Sequence, residues 1–228
     1  MPSDTTVVVT SCGRPDLLQV TLDSFFHWNT YDIEKIVVVE DSGKVGIVDP
    51  LKSRYQHRPV HWIEHPTRKG QISSIDDAYA QVTTDYIFHC EDDWEFYRGS
   101  FIEGSKKILE HRKDILQVWI RELDDTNGHP ISPEIYQAGD VTYRMPETDY
   151  RNFAHGFTFN PGLRRLADYT LIGSYGGHVV YNTVNPQISE MLLGCLYKAL
   201  GSRASILMQG SCRHIGDGRH VGSWTATP

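Results

Sequence analysis

The sequence predicts an α/β fold: a mixed, mainly parallel sheet flanked by helices in a single domain. Three observations predict it. Short β-branched runs alternate with stretches of helical periodicity through the first 120 residues, which is the pattern of βαβ units. A length of 228 residues suits one α/β domain with a full core. Polar clusters follow three of the apolar runs, where an open parallel sheet places its ligands.

The elements follow in order. The run Thr-Val-Val-Val-Thr at 6–10 predicts a first strand. Pro15 suits a first helical turn, and Leu17, Leu18, Thr21, Leu22, Phe25 and Phe26 repeat at helical spacing behind it. A second strand is expected at 36–39, a loose helix at 44–56 and a third strand at 60–63. Ile72, Ile75, Ala78, Tyr79 and Val82 mark a helical face. A fourth strand is expected at 85–90, a helix at 101–109 and a strand at 115–120. From 121 to 156 the periodicity fades into Pro, Gly and Tyr, which suggests a lid or small excursion. Regular signals resume at 156, with a helix expected at 187–200, a last strand at 206–208 and a polar, Gly-rich tail.

Composition narrows the function classes. Hydrophobic and charged contents of 39% and 22% are those of a soluble globular chain. A net charge of −7 and the lack of any basic run argue against a nucleic-acid partner. No stretch approaches 18 apolar residues, so no transmembrane segment is expected. The start, Met-Pro-Ser-Asp-Thr-Thr, lacks the marks of a signal peptide. Cys12, Cys90, Cys195 and Cys212 have no CxxC spacing, and reduced thiols in a cytoplasmic protein are expected.

The most informative stretch is Tyr86-Ile-Phe-His-Cys-Glu-Asp-Asp-Trp-Glu-Phe96. An apolar run ends in Glu91, Asp92 and Asp93, three like charges that resist burial together. A divalent cation resolves that conflict, because hard cations take carboxylate oxygens. A metal–phosphate site is therefore expected at this strand end. The turn at Thr10, Ser11 and Arg14 and the acids Glu40 and Asp41 end two other runs, so one shared site is expected.

Taken together, the turn Thr10-Ser11-Cys12-Gly13-Arg14-Pro15, the pair Glu40-Asp41, the segment Arg68-Lys69-Gly70-Gln71 to Asp76, and Glu91-Asp92-Asp93 resemble inverting glycosyltransferases of the GT-A fold, close to family 2. The resemblance covers 7–101 well and 155–220 more loosely. It implies a nucleoside-diphosphate-sugar donor, with a UDP-sugar favoured, a glycan or small-molecule acceptor, and Mn2+ or Mg2+. Residues 1–120 then form the nucleotide-sugar-binding half and 121–228 the acceptor and catalytic half. Thr10, Ser11 and Arg14 are expected against the base or phosphate, Asp41 on a ring N–H, and Asp76 on the base or ribose. Lys69 and Arg219 are expected near the diphosphate, the ribose and diphosphate near Asp92 and Asp93, and Glu91 among the donor-nucleotide-binding residues. Glu91 stands where many relatives carry Asp. The metal falls to Asp93, with His214 of the His-x-Gly segment as a further ligand.

The resemblance also implies a base that deprotonates the acceptor. Relatives open a late helix with two acids; here Ser189-Glu190 stands in that place, so Glu190 is the expected base. Asp140, Glu134 and Asp149 are its competitors. There is no Arg-Trp pair, which sets the chain apart from processive synthases. The single Gly of Ser-Cys-Gly-Arg-Pro argues against the alternative of a sugar-nucleotide pyrophosphorylase. A non-catalytic nucleotide-sugar-binding module is the other alternative.

Overall fold

The computed structural model describes residues 3–147, 156–179 and 186–219. The elements in chain order are β1 (Thr5–Ser11), α1 (Pro15–Trp28), β2 (Lys35–Glu40), α2 (Asp49–Arg54), β3 (Val60–Glu64), α3 (Gln71–Tyr79), β4 (Tyr86–Glu91), β5 (Trp94–Phe96), α4 (Phe101–His111), β6 (Ile115–Trp119), β7 (Tyr136–Ala138), β8 (Val141–Arg144), β9 (Gly162–Arg165), α5 (Leu166–Ile172), α6 (Pro186–Ala199), β10 (Arg203–Leu207) and β11 (Cys212–His214).

Among the described residues one sheet runs β3-β2-β1-β4-β9-β6-β10-β8-β7. Its first four strands are parallel. β9 enters antiparallel between β4 and β6 and ties the two parts of the sheet together. β10 is parallel to β6 and antiparallel to β8. A second, two-stranded ribbon pairs β11 with β5.

The strand sequences explain the layering. β1 is buried along its whole length, as a central parallel strand covered on both faces must be. Side chains alternate between faces: Val7 and Val9 pack with Leu18, Leu22 and Phe25 of α1 and Ile108 of α4. Val8 packs with Ile72 and Ile75 of α3 and Leu193 of α6. α1 starts at Pro15, whose fixed φ suits the first turn and whose missing N–H costs nothing there. Phe25 is 2% exposed and meets Phe88, Phe96 and Phe101, so burial of this ring alone contributes about 2–3 kcal/mol.

The mainly parallel α/β sheet expected from the sequence is the observed one. Four details differ. The loose helix at 44–56 contracts to α2. The helical face through Val82 ends at Tyr79. Regular structure after 156 begins only at β9. The segment from 121 is not all excursion, because β7 and β8 form a hairpin that extends the main sheet. Its two-residue loop is Gly139-Asp140, with Gly139 at φ 61°, a geometry that suits a tight hairpin. Part of that segment, 148–155 with Asp149, lies outside the described residues.

Candidate active site

The carboxyl ends of β1, β2 and β4 lie side by side in register, Ser11 opposite Glu40 and Thr10 opposite Glu91. The polar side chains that follow them converge. The Ser11 hydroxyl lies 2.8 Å from Glu40 Oε2 and 2.9 Å from Asp92 Oδ2, its two candidate acceptors. Glu40 Oε1 accepts from the backbone N–H of Gly13 and of Ser42 at 2.8 and 2.9 Å. It therefore locks the β1 turn to the β2 turn. Thr10 is buried beside Ser11 at the strand end.

Arg14 reaches across this cluster. Its guanidinium pairs with Asp92 and, at 2.8 Å through Nη1, with Asp93 Oδ2. Asp92 is fully buried. Burial pushes its carboxyl up to about 6, against the pull of Arg14. Asp93 is 5% exposed. Burial opposes its ionisation as well, but His214 and Arg14 prevail and hold it below the usual range. His214 Nε2 lies 3.3 Å from Asp93 Oδ2 and its Nδ1 lies 3.0 Å from Asp217. The hydrogen bond to Asp93 raises the imidazole pKa despite burial. The ribbon accounts for this proximity, since His214 pairs with Trp94 across β11 and β5. The Ile215 N–H donates to the Asp93 carbonyl at 2.8 Å.

Asp93 Oδ1 is buried and has no hydrogen-bond partner. An orphaned carboxylate oxygen beside an imidazole is a donor set that suits a divalent cation. Among the described residues no three His, Cys, Asp or Glu side chains converge on one point. The protein would thus offer Asp93 and His214, and phosphates and water the remaining oxygens, as is usual for Mg2+-type sites.

The other expected residues divide. Asp41 is 4% exposed. Its oxygens accept from Lys69 N and Gly70 N, each at 2.7 Å, with His65 Nδ1 at 2.7 Å. It thereby draws the N-terminus of α3 onto the end of β2. The Lys69 ammonium is exposed and pairs with Asp77 at 2.6 Å. Arg219 lies over the β1 turn, where its carbonyl accepts from Arg14 and its guanidinium pairs with Asp16. Asp76 sits on α3 with donors from α5 and the segment after it. It accepts from Tyr169 Oη, Tyr175 N and Gly176 N at 2.8–2.9 Å.

Glu91 is half-buried and accepts from Gln71 Nε2 at 2.9 Å. Burial first, and then repulsion from Asp93 and Glu190, raise its pKa well above the carboxylate range. Glu190, on α6, is the second of these two acids. Glu190 Oε1 accepts from Thr158 Oγ1 at 3.0 Å and Phe159 N at 2.5 Å. Burial also raises its own pKa, which these two donors only partly offset. A carboxyl raised in this way suits proton abstraction near neutral pH. Of its competitors, Asp140 is fully exposed and paired with Lys107, and Glu134 is exposed and accepts from Tyr136.

Sequence reasoning passed over Glu40 as a ligand of the turns, Gln71 beside Glu91, and Gly216. A Cβ on Gly216 would lie 2.3 Å from Asp93 Oδ2. Only the His-x-Gly spacing hinted at this last residue.

A family model, Glycosyl transferase family 2, matches residues 6–171. Solved structures share the fold at low identity. Mannosyltransferase PcManGT from Pyrobaculum calidifontis, in complex with GDP-Man and Mn2+, is 14% identical with a TM-score of 0.65, over 96% of this chain and 59% of its own. S. aureus TarS 1–349 in complex with UDP-GlcNAc is 13% identical with a TM-score of 0.62, over 96% of this chain and 62% of its own. The chain thus spans about three fifths of the length of these structures. No curated protein sequence matches it.

Proposed function

The chain belongs to glycosyl transferase family 2, and from that premise we propose that it moves a sugar from a nucleoside-diphosphate sugar, a UDP-sugar, to the hydroxyl of a glycan or small-molecule acceptor, with inversion and divalent-metal assistance. The observation that carries this reading is the convergence of three strand ends on Asp93, whose buried Oδ1 is unpartnered.

In this reading residues 1–120 hold the donor and 121–228 supply the base. The turn at Thr10 and Ser11 and the Asp41-fixed start of α3, with Lys69, form the nucleotide wall. Arg14, Asp92 and Arg219 flank the diphosphate, and Glu91 faces the sugar side. Asp76 acts at a distance, by holding the segment that packs on α3. Asp93 and His214 would hold Mn2+ or Mg2+, which when bound serves as a Lewis acid toward the departing diphosphate. Glu190 takes the acceptor hydroxyl proton, the acceptor oxygen forms its bond to the anomeric carbon from the opposite face, and the bond to the diphosphate oxygen breaks. No helix among the described residues is long and apolar enough to cross a membrane. The free thiols Cys12, Cys90, Cys195 and Cys212 suit a reducing cytoplasmic setting.

The test is nucleoside-diphosphate release from a panel of nucleotide sugars with and without Mn2+. Release should require acceptor and rise with Mn2+. Glu190→Gln should keep donor affinity within about twofold and lose at least about a hundredfold in transfer. Pyrophosphate made from a nucleoside triphosphate and a sugar phosphate would overturn the reading in favour of a nucleotidyltransferase. Donor binding without turnover on any acceptor would leave only a binding module.

A further inference from the structure

Arg164 of β9 is 1% exposed, with its guanidinium under the Phe157 ring at 5.2 Å. Its Nε and Nη1 are buried without a close hydrogen-bond partner, no carboxylate among the described residues pairs with it, and the Tyr175 hydroxyl is its polar side-chain neighbour. A fully buried guanidinium in a mainly aromatic setting is costly, so the fold retains it against a penalty. Its one hydrogen bond to the backbone shows where its influence goes. Nη2 donates to the Thr158 carbonyl at 3.0 Å.

Thr158 is a connector. Its carbonyl also accepts from Gln117 Nε2 at 2.9 Å, and its N–H donates to Gln117 Oε1 at 3.2 Å. On its other side Thr158 Oγ1 and the next N–H, that of Phe159, both donate to Glu190 Oε1. The connector has little freedom, because Gly162 brings β9 so close to β6 that a Cβ there would lie 2.5 Å from the Val118 carbonyl. Among the described residues, the charged groups that act on Glu190 through space are Arg164 from β9, Arg121 beyond β6 and Glu91 at the end of β4. Of the two cations, Arg121 already has a carboxylate partner, Asp125 at 2.8 Å. Arg164 has none.

We propose that Arg164 is a positioning residue for Glu190: through the Thr158 backbone it fixes the two donors that hold the Glu190 carboxylate, and its buried positive charge acts on that carboxylate. Its catalytic consequence rests on Glu190 being the base.

The experiment reads Glu190 directly, by difference infrared titration of its carboxyl in the whole chain, with Glu190→Gln as the subtracted reference. Arg164→Met should move the Glu190 midpoint upward by about one pH unit and the acid limb of kcat with it. At neutral pH kcat should fall about tenfold, chiefly because the carboxylate is misplaced, while donor Kd stays within about twofold. Arg164→Lys should restore most of both. An Arg164 that merely fills the core would lower Tm and leave the midpoint where it was, and that result overturns the proposal. A midpoint that moves without the acid limb following retains the Arg164–Glu190 link and removes Glu190 as the base. Should Arg164→Met fail to fold, Thr158→Val decides instead. It deletes the hydroxyl that donates to Glu190 and accepts from Asn160 N while keeping the carbonyl that Arg164 holds, and an unmoved midpoint in that variant is equally fatal.

Discussion

Gly216 shows how one missing methyl group can define a site. Asp93 occupies the space that a Cβ would need, so Gly216→Ala must push the carboxylate away from His214. A misplacement of about 1 Å costs up to about a hundredfold where geometry matters. Mn2+-dependent donor affinity, measured by calorimetry, should therefore fall at least tenfold by that estimate, with the circular dichroism spectrum unchanged. Unaltered affinity would remove Asp93 as the metal ligand. At this scale the legible residues were those whose meaning is local. Ser11, Arg14, Asp92 and Asp93 follow apolar runs directly, and strand ends in parallel sheets are where ligands bind. Glu40 was legible as a polar strand end but its hold on the Gly13 turn was not, nor were the roles of Gln71 and Arg164, because each acts on a residue more than 5 positions away that only the folded chain brings near. Asp41 was legible as a polar strand end. That its two oxygens hold Lys69 N, Gly70 N and His65 is a tertiary fact.

Among the elements, α3 depends on a clamp behind it. Asp76 accepts one hydrogen bond from Tyr169 of α5 and two from the segment that follows it, and Tyr79 and Tyr175 meet there with ring centroids 5.9 Å apart. Hydrogen bonds to a charged acceptor contribute about 1.5–3 kcal/mol each when broken singly. Asp76→Ala should therefore lower stability by about 2–3 kcal/mol in a urea titration and change donor Kd less than about twofold. A tenfold loss of donor affinity at unchanged stability would instead put Asp76 on the nucleotide. The long elements were legible because their periods are strong. Leu18, Leu22 and Phe25 mark one face of α1, and the Val run of β1 is apolar on both faces. β7, β8 and β9 were not, because strands of 3–4 residues with mixed polarity carry too little period to read. The hairpin had one sign in its Gly139-Asp140 turn.

Over the whole molecule, two apolar layers enclose a single sheet, and remote segments are tied across it by charge. Asp4, before β1, pairs with Lys106 of α4 and accepts from Tyr31 Oη at 2.9 Å. Burial opposes ionisation of Asp4, but Lys106 and Tyr31 outweigh it and hold the carboxyl below its ordinary range. A depressed acid stabilises the fold above its unfolded pKa of about 4, and that contribution is lost as pH falls through the lowered value. Asp4→Asn should therefore cost about 1 kcal/mol at neutral pH, and the difference from the parent should vanish in acid, as thermal melts across pH would show. A constant difference would refute the ionic origin. The ribbon of β5 and β11 has a further consequence, for a chain emerging from the ribosome. The four parallel strands and both acids of the Asp92–Asp93 pair are made first, yet His214, Ile215 and Gly216 come some 120 residues later. A nascent chain halted before β11 has its acids in place with no imidazole beside Asp93, so the Asp93–His214 pair forms only after some 120 further residues have been made.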